Sequence, residues 1–168
     1  MIPLRFFPTM KKRILFVCLG NICRSPAAEG VFRNLIHEKG VADQCFVDSA
    51  GTGAWHVGNK ADQRMRNAAN KRGIILESIA RQVKLKDLHV FDLILTMDNE
   101  NLAAMNVLAK DAGPDFKAVI KPILNYSKIT NSLEVPDPYY GGENGFENVL
   151  DLLEDACSSL LEDLNLME

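Results

Sequence analysis

One stretch constrains this chain more than any other: an apolar run that ends at a cysteine and is followed closely by a helical pattern. The run covers Ile14 to Val17 without interruption, which is typical of a strand buried on both faces of a sheet. Cys18 therefore stands at a strand end. Pro26 suits the first position of the helix and Ser25 suits its cap. The helix then repeats apolar residues at helical spacing, at Ala28, Val31, Phe32, Leu35 and Ile36.

The loop between this strand and this helix has the chemistry of an anion site. A tight loop directs its backbone N–H groups inward at the positive end of a helix, where a phosphate or another oxyanion can be held. Arg24 adds a fork of donors that can grip two oxygens. The same positive field favours the thiolate of Cys18, which would be a nucleophile aimed at phosphorus. Ser25 can donate to that thiolate, and Asn21 tolerates the left-handed backbone that helps a loop to curl.

A cysteine followed after five residues by an arginine is a weak signal by itself, because Cys18 alone could equally be a buried thiol. The flanking strand and helix strengthen it. With this context, residues 18–26 closely resemble the signature loop of the low-molecular-weight protein tyrosine phosphatases. The resemblance implies that Cys18 and Arg24 are catalytic. It also implies that the other loop residues bind phosphate, namely Leu19, Gly20, Asn21, Ile22, Cys23 and Ser25.

Strand and helix patterns alternate along the rest of the chain. Further apolar runs predict strands at 45–47, 91–97 and 118–124. Pro122 indicates that the last strand lies at a sheet edge or ends irregularly. Helices are predicted after the caps Asp62 and Asp98, and over the apolar face from Phe146 to Leu164. This alternation predicts an α/β fold, a single-domain four-stranded parallel sheet with helices on both faces in flavodoxin-like or Rossmann-like order, and the resemblance implies the same arrangement.

Phosphoryl transfer to a cysteine requires a second group that protonates the departing oxygen. In a parallel sheet this group must lie at the carboxyl ends of the strands, where Asp48, Asp98 and Asp137 are the candidates. Prolines on both sides of Asp137 hold its backbone extended, although an Asp-Pro followed by glycines is locally also a common surface turn. The resemblance favours Asp137 as the general acid, since the family carries it in an Asp-Pro-Tyr motif. Asp48 and Asp98 are then interpreted as a turn residue and a cap.

Aromatic residues are the candidate walls of the substrate cleft. Trp55 lies in a glycine-rich loop at the same sheet edge, where the alternative is a local staple over the sheet end. The resemblance implies that Trp55 packs beside the substrate ring opposite Tyr139. It also implies that Tyr139 and Tyr140 line the cleft, and in relatives these tyrosines can be phosphorylated. Relatives that act on phosphoarginine carry threonine at the position of Ile22, so isoleucine points to phosphotyrosine.

Two further residues lie close to the loop. Ser49 is expected to hydrogen-bond the loop from behind, while Ser78 stands where some relatives have a supporting histidine. Cys23 has two open interpretations: a small residue packed under the loop, or a partner that forms a reversible disulfide with Cys18. The spacing does not choose between them.

The composition argues against several classes of protein. The chain has 168 residues, a net charge of −3 and 47% hydrophobic residues. These values suit one globular domain and argue against nucleic-acid binding and membrane insertion. Four cysteines and three histidines show no zinc-ligand spacing, so no metal and no cofactor are expected. Residues 1–10 are interpreted as a loose N-terminal leader, which does not fit a signal peptide, before a single phosphatase domain at 11–168. The cysteine usage favours a reducing cytoplasm.

Two alternatives are kept. A thiol-dependent arsenate reductase of the same fold needs further redox cysteines near the third strand, where this chain has Thr96 and Met97. A catalytically silent phosphotyrosine-binding module would keep Arg24 but lose Cys18 or Asp137, and both are present. The preferred hypothesis is a metal-independent phosphatase that acts on phosphotyrosine proteins or peptides, and on small aryl phosphates, through a phosphocysteine intermediate. Phosphate and oxyanions such as vanadate are its expected inhibitors.

Overall fold

The computed structural model describes residues 11–139, 142 and 144–166. The predicted leader at 1–10 and Tyr140 lie outside this part of the chain. The described strands are β1 (Lys12–Cys18), β2 (Cys45–Gly51), β3 (Leu93–Thr96) and β4 (Val119–Pro122). The described helices are α1 (Arg24–Glu38), α2 (Gln63–Asn70), α3 (Asp87–Val90), α4 (Asn99–Ala112) and α5 (Asn144–Asp163), with 3-10 turns at Ala42–Gln44 and Ile123–Tyr126.

The four strands form one sheet in the order β2-β1-β3-β4, and every neighbouring pair is parallel. This confirms the predicted flavodoxin-like order, with β1 at the point where the strand order reverses. The register pairs Cys18 with Gly51 and Val17 with Thr96. The carboxyl ends of β1, β2 and β3 therefore meet at one edge, which is where the sequence predicts the site.

Helices cover both faces of the sheet, as predicted. Alternate residues of β1 point to opposite sides: Phe16 packs in a core with residues of α1 and α5, while Leu15 packs in a second core with Met105 of α4. All three side chains are fully buried. Because β1 is buried on both faces, its sequence is an uninterrupted apolar run and shows no alternation of apolar and polar residues.

The helix caps are partly confirmed. Asp62 and Asp98 cap α2 and α4, each accepting a bond from a backbone N–H in the first turn. The prediction for α1 is wrong by two residues, since the cap is Cys23 and Ser25 lies inside the helix. Pro26 is tolerated there because the first N–H groups of a helix have no intrahelical partner.

Strand boundaries also differ from the prediction. β2 continues to Gly51, so Asp48 and Ser49 lie in the strand, and the interpretation of Asp48 as a turn residue is wrong. β3 begins only at Leu93, because Phe91 ends the short helix α3 that the apolar pattern did not reveal. β4 ends at Pro122 and lies at the sheet edge, as the proline indicated.

Candidate active site

The loop after β1 brings a thiol to the start of α1. Cys18 is only 3% exposed, and its Sγ lies 3.0 Å from the hydroxyl of Ser25. The backbone N–H of Asn21 donates to the same sulfur over 3.3 Å. Asn21 has the expected left-handed backbone, with φ of 56°. This conformation turns the chain sharply enough to direct an N–H group at the nucleophile.

The side chain of Asn21 orders the loop from behind. Its Oδ1 accepts a bond from the backbone N–H of Arg81 at 3.0 Å, which fixes the orientation of the amide. Its Nδ2 then donates to the hydroxyls of Ser25 at 2.8 Å and Ser49 at 3.0 Å. Since Ser25 accepts from Asn21, its own proton can point to the sulfur of Cys18 at 3.0 Å or to the carbonyl of Ala50 at 3.4 Å. The sulfur of Cys18 therefore lies within reach of two potential donors, the N–H of Asn21 and the hydroxyl of Ser25.

Ser49 extends this network to a buried acid. Its hydroxyl donates to Oε1 of Glu29 at 2.8 Å, and the other carboxylate oxygen accepts from Arg33 at 3.0 Å. Burial raises the pKa of Glu29 above its usual value, although the bonds from Ser49 and Arg33 oppose that shift. The predicted hydrogen bond of Ser49 to the loop is thus present, and Glu29 is the group that supports Ser49.

Arg24 is a buried cation held by two carboxylates. It is 3% exposed, its Nη1 lies 2.7 Å from Asp98, and its Nη2 lies 3.5 Å from Asp137. Burial alone would lower the pKa of Arg24, but the negative charges of Cys18, Asp98 and Asp137 outweigh it, so this pKa is raised. The same Nη1 also donates to the carbonyl of Val135 at 3.1 Å. The guanidinium is therefore charged and fixed at the amino end of α1.

Asp137 lies opposite the thiol loop on a segment tied to the end of β3. The N–H of Val135 donates to the carbonyl of Met97 at 2.7 Å, which anchors this segment at the carboxyl edge of the sheet. One oxygen of Asp137 accepts from the N–H of Tyr139 at 3.0 Å, while the other faces Arg24. The Asp137 side chain is 39% exposed. A carboxyl that is both held and open to solvent can exchange a proton with a ligand in the cleft.

Exposed residues form the rim of the site. Trp55 is 74% exposed and lies over Gly53, where an added Cβ would collide with the indole ring. The ring of His56 lies near that of Tyr139, with centroids 6.2 Å apart. Tyr139 itself is 37% exposed. The role of Trp55 beside a substrate ring stays a prediction.

Close packing at Gly51 holds the loop against β2. A Cβ at Gly51 would come within 2.7 Å of the carbonyl oxygen of Leu19. The N–H groups of Thr52 and Gly53 continue the ladder by donating to the carbonyls of Cys18 and Leu19, each at 2.9 Å. Only a glycine lets the two backbones approach this closely.

Cys23 lies inside the loop as a protonated thiol. It is 4% exposed and, like Cys18, has no disulfide partner. Burial, aided by the charges of Asp62, Cys18 and Asp137, raises the pKa of Cys23 to about 12. Packing under the loop is thus present, and the reversible disulfide stays a prediction.

Several contributors were not found by sequence reasoning. Glu29 acts through a buried contact with Ser49, Arg81 acts through a partly buried contact with Asn21, and His56 lies near Tyr139. These contacts join residues that are far apart in the sequence. Asp98 was interpreted only as a cap. A signal for its second role existed, because a buried arginine requires a carboxylate and Asp98 lies two residues after the strand beside β1.

The described residues also permit two statements about absent features. They contain no group of three or more side chains that could hold a metal ion. None of the helices described is long and apolar enough to cross a membrane.

A thiol loop at the reversal point of a small parallel sheet, facing a buried arginine and an open carboxyl, defines the class of cysteine-dependent phosphatases. The family model for the low molecular weight phosphotyrosine protein phosphatases matches residues 13–167. A protein of Synechocystis sp., named for the low molecular weight protein-tyrosine-phosphatases, is 48% identical over 152 residues, covering 90% of this chain and 96% of the relative. The chain belongs to the low molecular weight protein tyrosine phosphatase family.

Solved structures agree with this assignment. A protein tyrosine phosphatase from Entamoeba histolytica, with Hepes in the active site, superposes with a TM-score of 0.84 at 42% identity, covering 92% of this chain and 97% of that chain. A Drosophila arginine phosphatase superposes with a TM-score of 0.86 at 29% identity, covering 92% and 99%. The fold is therefore shared by proteins named for two different substrates, and the substrate must be argued from the site.

Proposed function

We propose that this phosphatase hydrolyses phosphotyrosine through a phosphocysteine intermediate, with Cys18, Arg24 and Asp137 as its catalytic residues. The observation that carries the proposal is their convergence: Cys18 ends β1, Arg24 begins α1, and a carboxylate oxygen of Asp137 lies 3.5 Å from the guanidinium of Arg24. This arrangement supports the proposed roles of nucleophile, charge clamp and proton donor.

The reaction has two steps. In the first, the Cys18 thiolate forms a bond to phosphorus as the bond from phosphorus to the tyrosyl oxygen breaks, and Asp137 gives its proton to that oxygen. In the second, Asp137 takes a proton from a water molecule that attacks phosphorus, and the sulfur leaves as a thiolate. Arg24 and the loop N–H groups hold the charge on the phosphoryl oxygens in both steps. Ser25 stabilises the sulfur whenever it is a thiolate.

The remaining loop residues shape the phosphate site. Leu19, Gly20, Ile22 and Cys23 supply backbone to the loop, and Asn21 holds its curl. Adding a Cβ to Gly20 would bring it within 3.0 Å of the ring of His56. Ile22 is only 9% exposed, and its apolar side chain is proposed to favour phosphotyrosine over phosphoarginine. Trp55, Tyr139 and Tyr140 are the proposed walls beside the tyrosyl ring.

The proposed substrates are phosphotyrosine proteins or peptides, and inorganic phosphate and vanadate are proposed inhibitors. No nucleic acid, membrane, metal or cofactor takes part in the proposed reaction. The proposed location is the cytoplasm. The four cysteines support this because all are free thiols, as expected in a reducing compartment.

Hydrolysis of phosphotyrosine and of p-nitrophenyl phosphate, in buffer containing a metal chelator, tests the proposal. We expect turnover in the wild-type protein, inhibition by vanadate, and none of this turnover in Cys18→Ser. Asp137→Asn should lower kcat/KM by about 100-fold or more for a poor leaving group. Full turnover in Cys18→Ser would overturn the mechanism. Arsenate-dependent thiol oxidation, or tight phosphotyrosine binding without turnover, would favour the alternative functions.

A further inference from the structure

Arg64 connects the cap of helix α2 with the segment that carries the proposed general acid. It lies in the first turn of α2, and half of its side chain is exposed. Its guanidinium pairs in a bidentate manner with Asp62, from Nε at 3.1 Å and from Nη2 at 3.0 Å. The same Nη2 donates to the backbone carbonyl of Tyr139 at 3.2 Å. One planar group thus bonds both the cap of α2 and the segment that follows Asp137.

Two aromatic rings complete the environment of this guanidinium. Its central carbon lies 5.5 Å from the ring centroid of Tyr139 and 4.9 Å from that of Phe146. Phe146 is 3% exposed and belongs to the first turn of α5, so it is a fixed surface. Arg64 therefore contacts both the backbone carbonyl and the ring of Tyr139, and it packs on the buried ring of Phe146.

Each end of this connection leads to a catalytic loop. The N–H of Tyr139 donates to one oxygen of Asp137 at 3.0 Å, so the position of Tyr139 sets the position of that carboxyl. The N–H of Asp62 donates to the carbonyl of Ile22 in the thiol loop at 2.7 Å. In addition to the contacts with Arg24 and Met97, the acid segment is thus connected to the thiol loop through Asp62, Arg64 and Tyr139.

We propose that Arg64 is a positioning residue for the general acid, which it acts on through Tyr139. This inference rests on the proposed function, since it assigns Arg64 to the step in which Asp137 protonates the leaving oxygen. Lysine cannot replace it, because an ammonium group lacks the planar fork that bonds Asp62 and Tyr139 together and stacks on a ring.

Leaving-group dependence is the readout that separates positioning of the acid from general support of the fold. Phenolate is a poor leaving group, so phenyl phosphate needs a proton from the acid. The p-nitrophenolate of p-nitrophenyl phosphate leaves with much less help. For Arg64→Ala, we expect kcat/KM to fall about tenfold further with phenyl phosphate than with p-nitrophenyl phosphate, since small displacements of a catalytic group have effects of this order. Arg64→Lys should recover little of this selective loss.

Arg72→Ala is the matched control. Arg72 lies just after the end of α2 and forms ion pairs with Glu147, Asp151 and Glu154 of α5, so it connects the same part of the chain to α5. If Arg64 only supported helix packing, the two alanine variants would behave alike. We expect Arg72→Ala to change kcat/KM by the same factor with both substrates.

A double-variant cycle completes the test. In an Asp137→Asn background, Arg64→Ala should produce no additional selective loss with phenyl phosphate, because the group that it positions is absent. Equal losses with both substrates in Arg64→Ala, or full additivity with Asp137→Asn, would overturn the inference. If Asp137→Asn itself lacks a selective loss, the general acid of the proposed function is wrong, which is a distinguishable result.

Discussion

Replacing Asp98 by asparagine tests how the buried Arg24 is stabilised. Asparagine is as good a helix cap as aspartate, so its side-chain oxygen can still accept the 2.8 Å bond from the N–H of Asn101. What the variant removes is the carboxylate oxygen 2.7 Å from the Arg24 guanidinium. The substitution therefore isolates the ion pair from the cap.

The expected cost follows from the burial of both partners. Removing one partner of a buried ion pair costs about 3–5 kcal/mol. The side chains of Arg24 and Asp98 are 4% and 19% exposed, and Asp137 still lies 3.5 Å from the guanidinium. We therefore expect the low end, about 3 kcal/mol, or a fall in Tm of about 6–12 °C for a chain of this size. Asp98→Ala should lose about 1 kcal/mol more, because it also removes the cap.

Urea unfolding with and without inorganic phosphate is the assay. A bound phosphate would supply the negative charge that Asp98→Asn lacks, so the difference in unfolding free energy from wild type should shrink as phosphate saturates the site. The reasoning is refuted if Asp98→Asn unfolds within about 0.5 kcal/mol of wild type, since that is the range of ordinary surface substitutions. It is also refuted if phosphate leaves the difference unchanged.

Three further results are expected. Gly51→Ala should cost about 1–3 kcal/mol of stability in thermal unfolding and most of the turnover, because its Cβ would lie 2.7 Å from the Leu19 carbonyl; wild-type kcat/KM would contradict this. Iodoacetate near neutral pH should modify Cys18 and spare Cys23, whose pKa of about 12 keeps it protonated; equal labelling in peptide mapping would be inconsistent with that pKa. Because burial raises the pKa of Glu29, its stabilising contribution is full below the unfolded pKa of about 4.3 and is lost as pH rises through the folded pKa. In urea titrations, wild type should therefore lose stability relative to Glu29→Gln as pH rises from the unfolded pKa of Glu29 through its folded pKa. The opposite trend would show that the folded pKa of Glu29 is not raised.

Local patterns predicted the elements that depend on local physics. The apolar run before Cys18 predicted a strand because β1 is buried on both faces, and the caps Asp62 and Asp98 were found because a capping oxygen bonds the turn that immediately follows it. The ends of these helices and strands were predicted less accurately. Ser25 looked like a cap, but its hydroxyl is used by Cys18 and Asn21, so the helix begins before it.

Pairings between distant residues were much harder to predict. Arg24 and Asp98 are 74 positions apart, and Ser49 and Glu29 are 20 apart. Such contacts exist only because parallel strands bring their carboxyl ends to one edge. Asp48 shows the same limit: it looked like a turn residue but pairs with Arg81 from within β2.

The sequence by itself indicated the nucleophile loop and the fold class, because strand and helix patterns are set by the backbone preferences and polarity of neighbouring residues. The resemblance to a known family singled out Asp137 as the general-acid candidate. Tertiary structure decided how these parts work together. It paired Arg24 with Asp98, oriented Asn21 through Arg81, and placed Arg64 between the thiol loop and the acid segment. A buried charge or a hydrogen-bonding group must find its partner wherever the packing of the sheet brings one within reach, and that distance is a property of the folded chain.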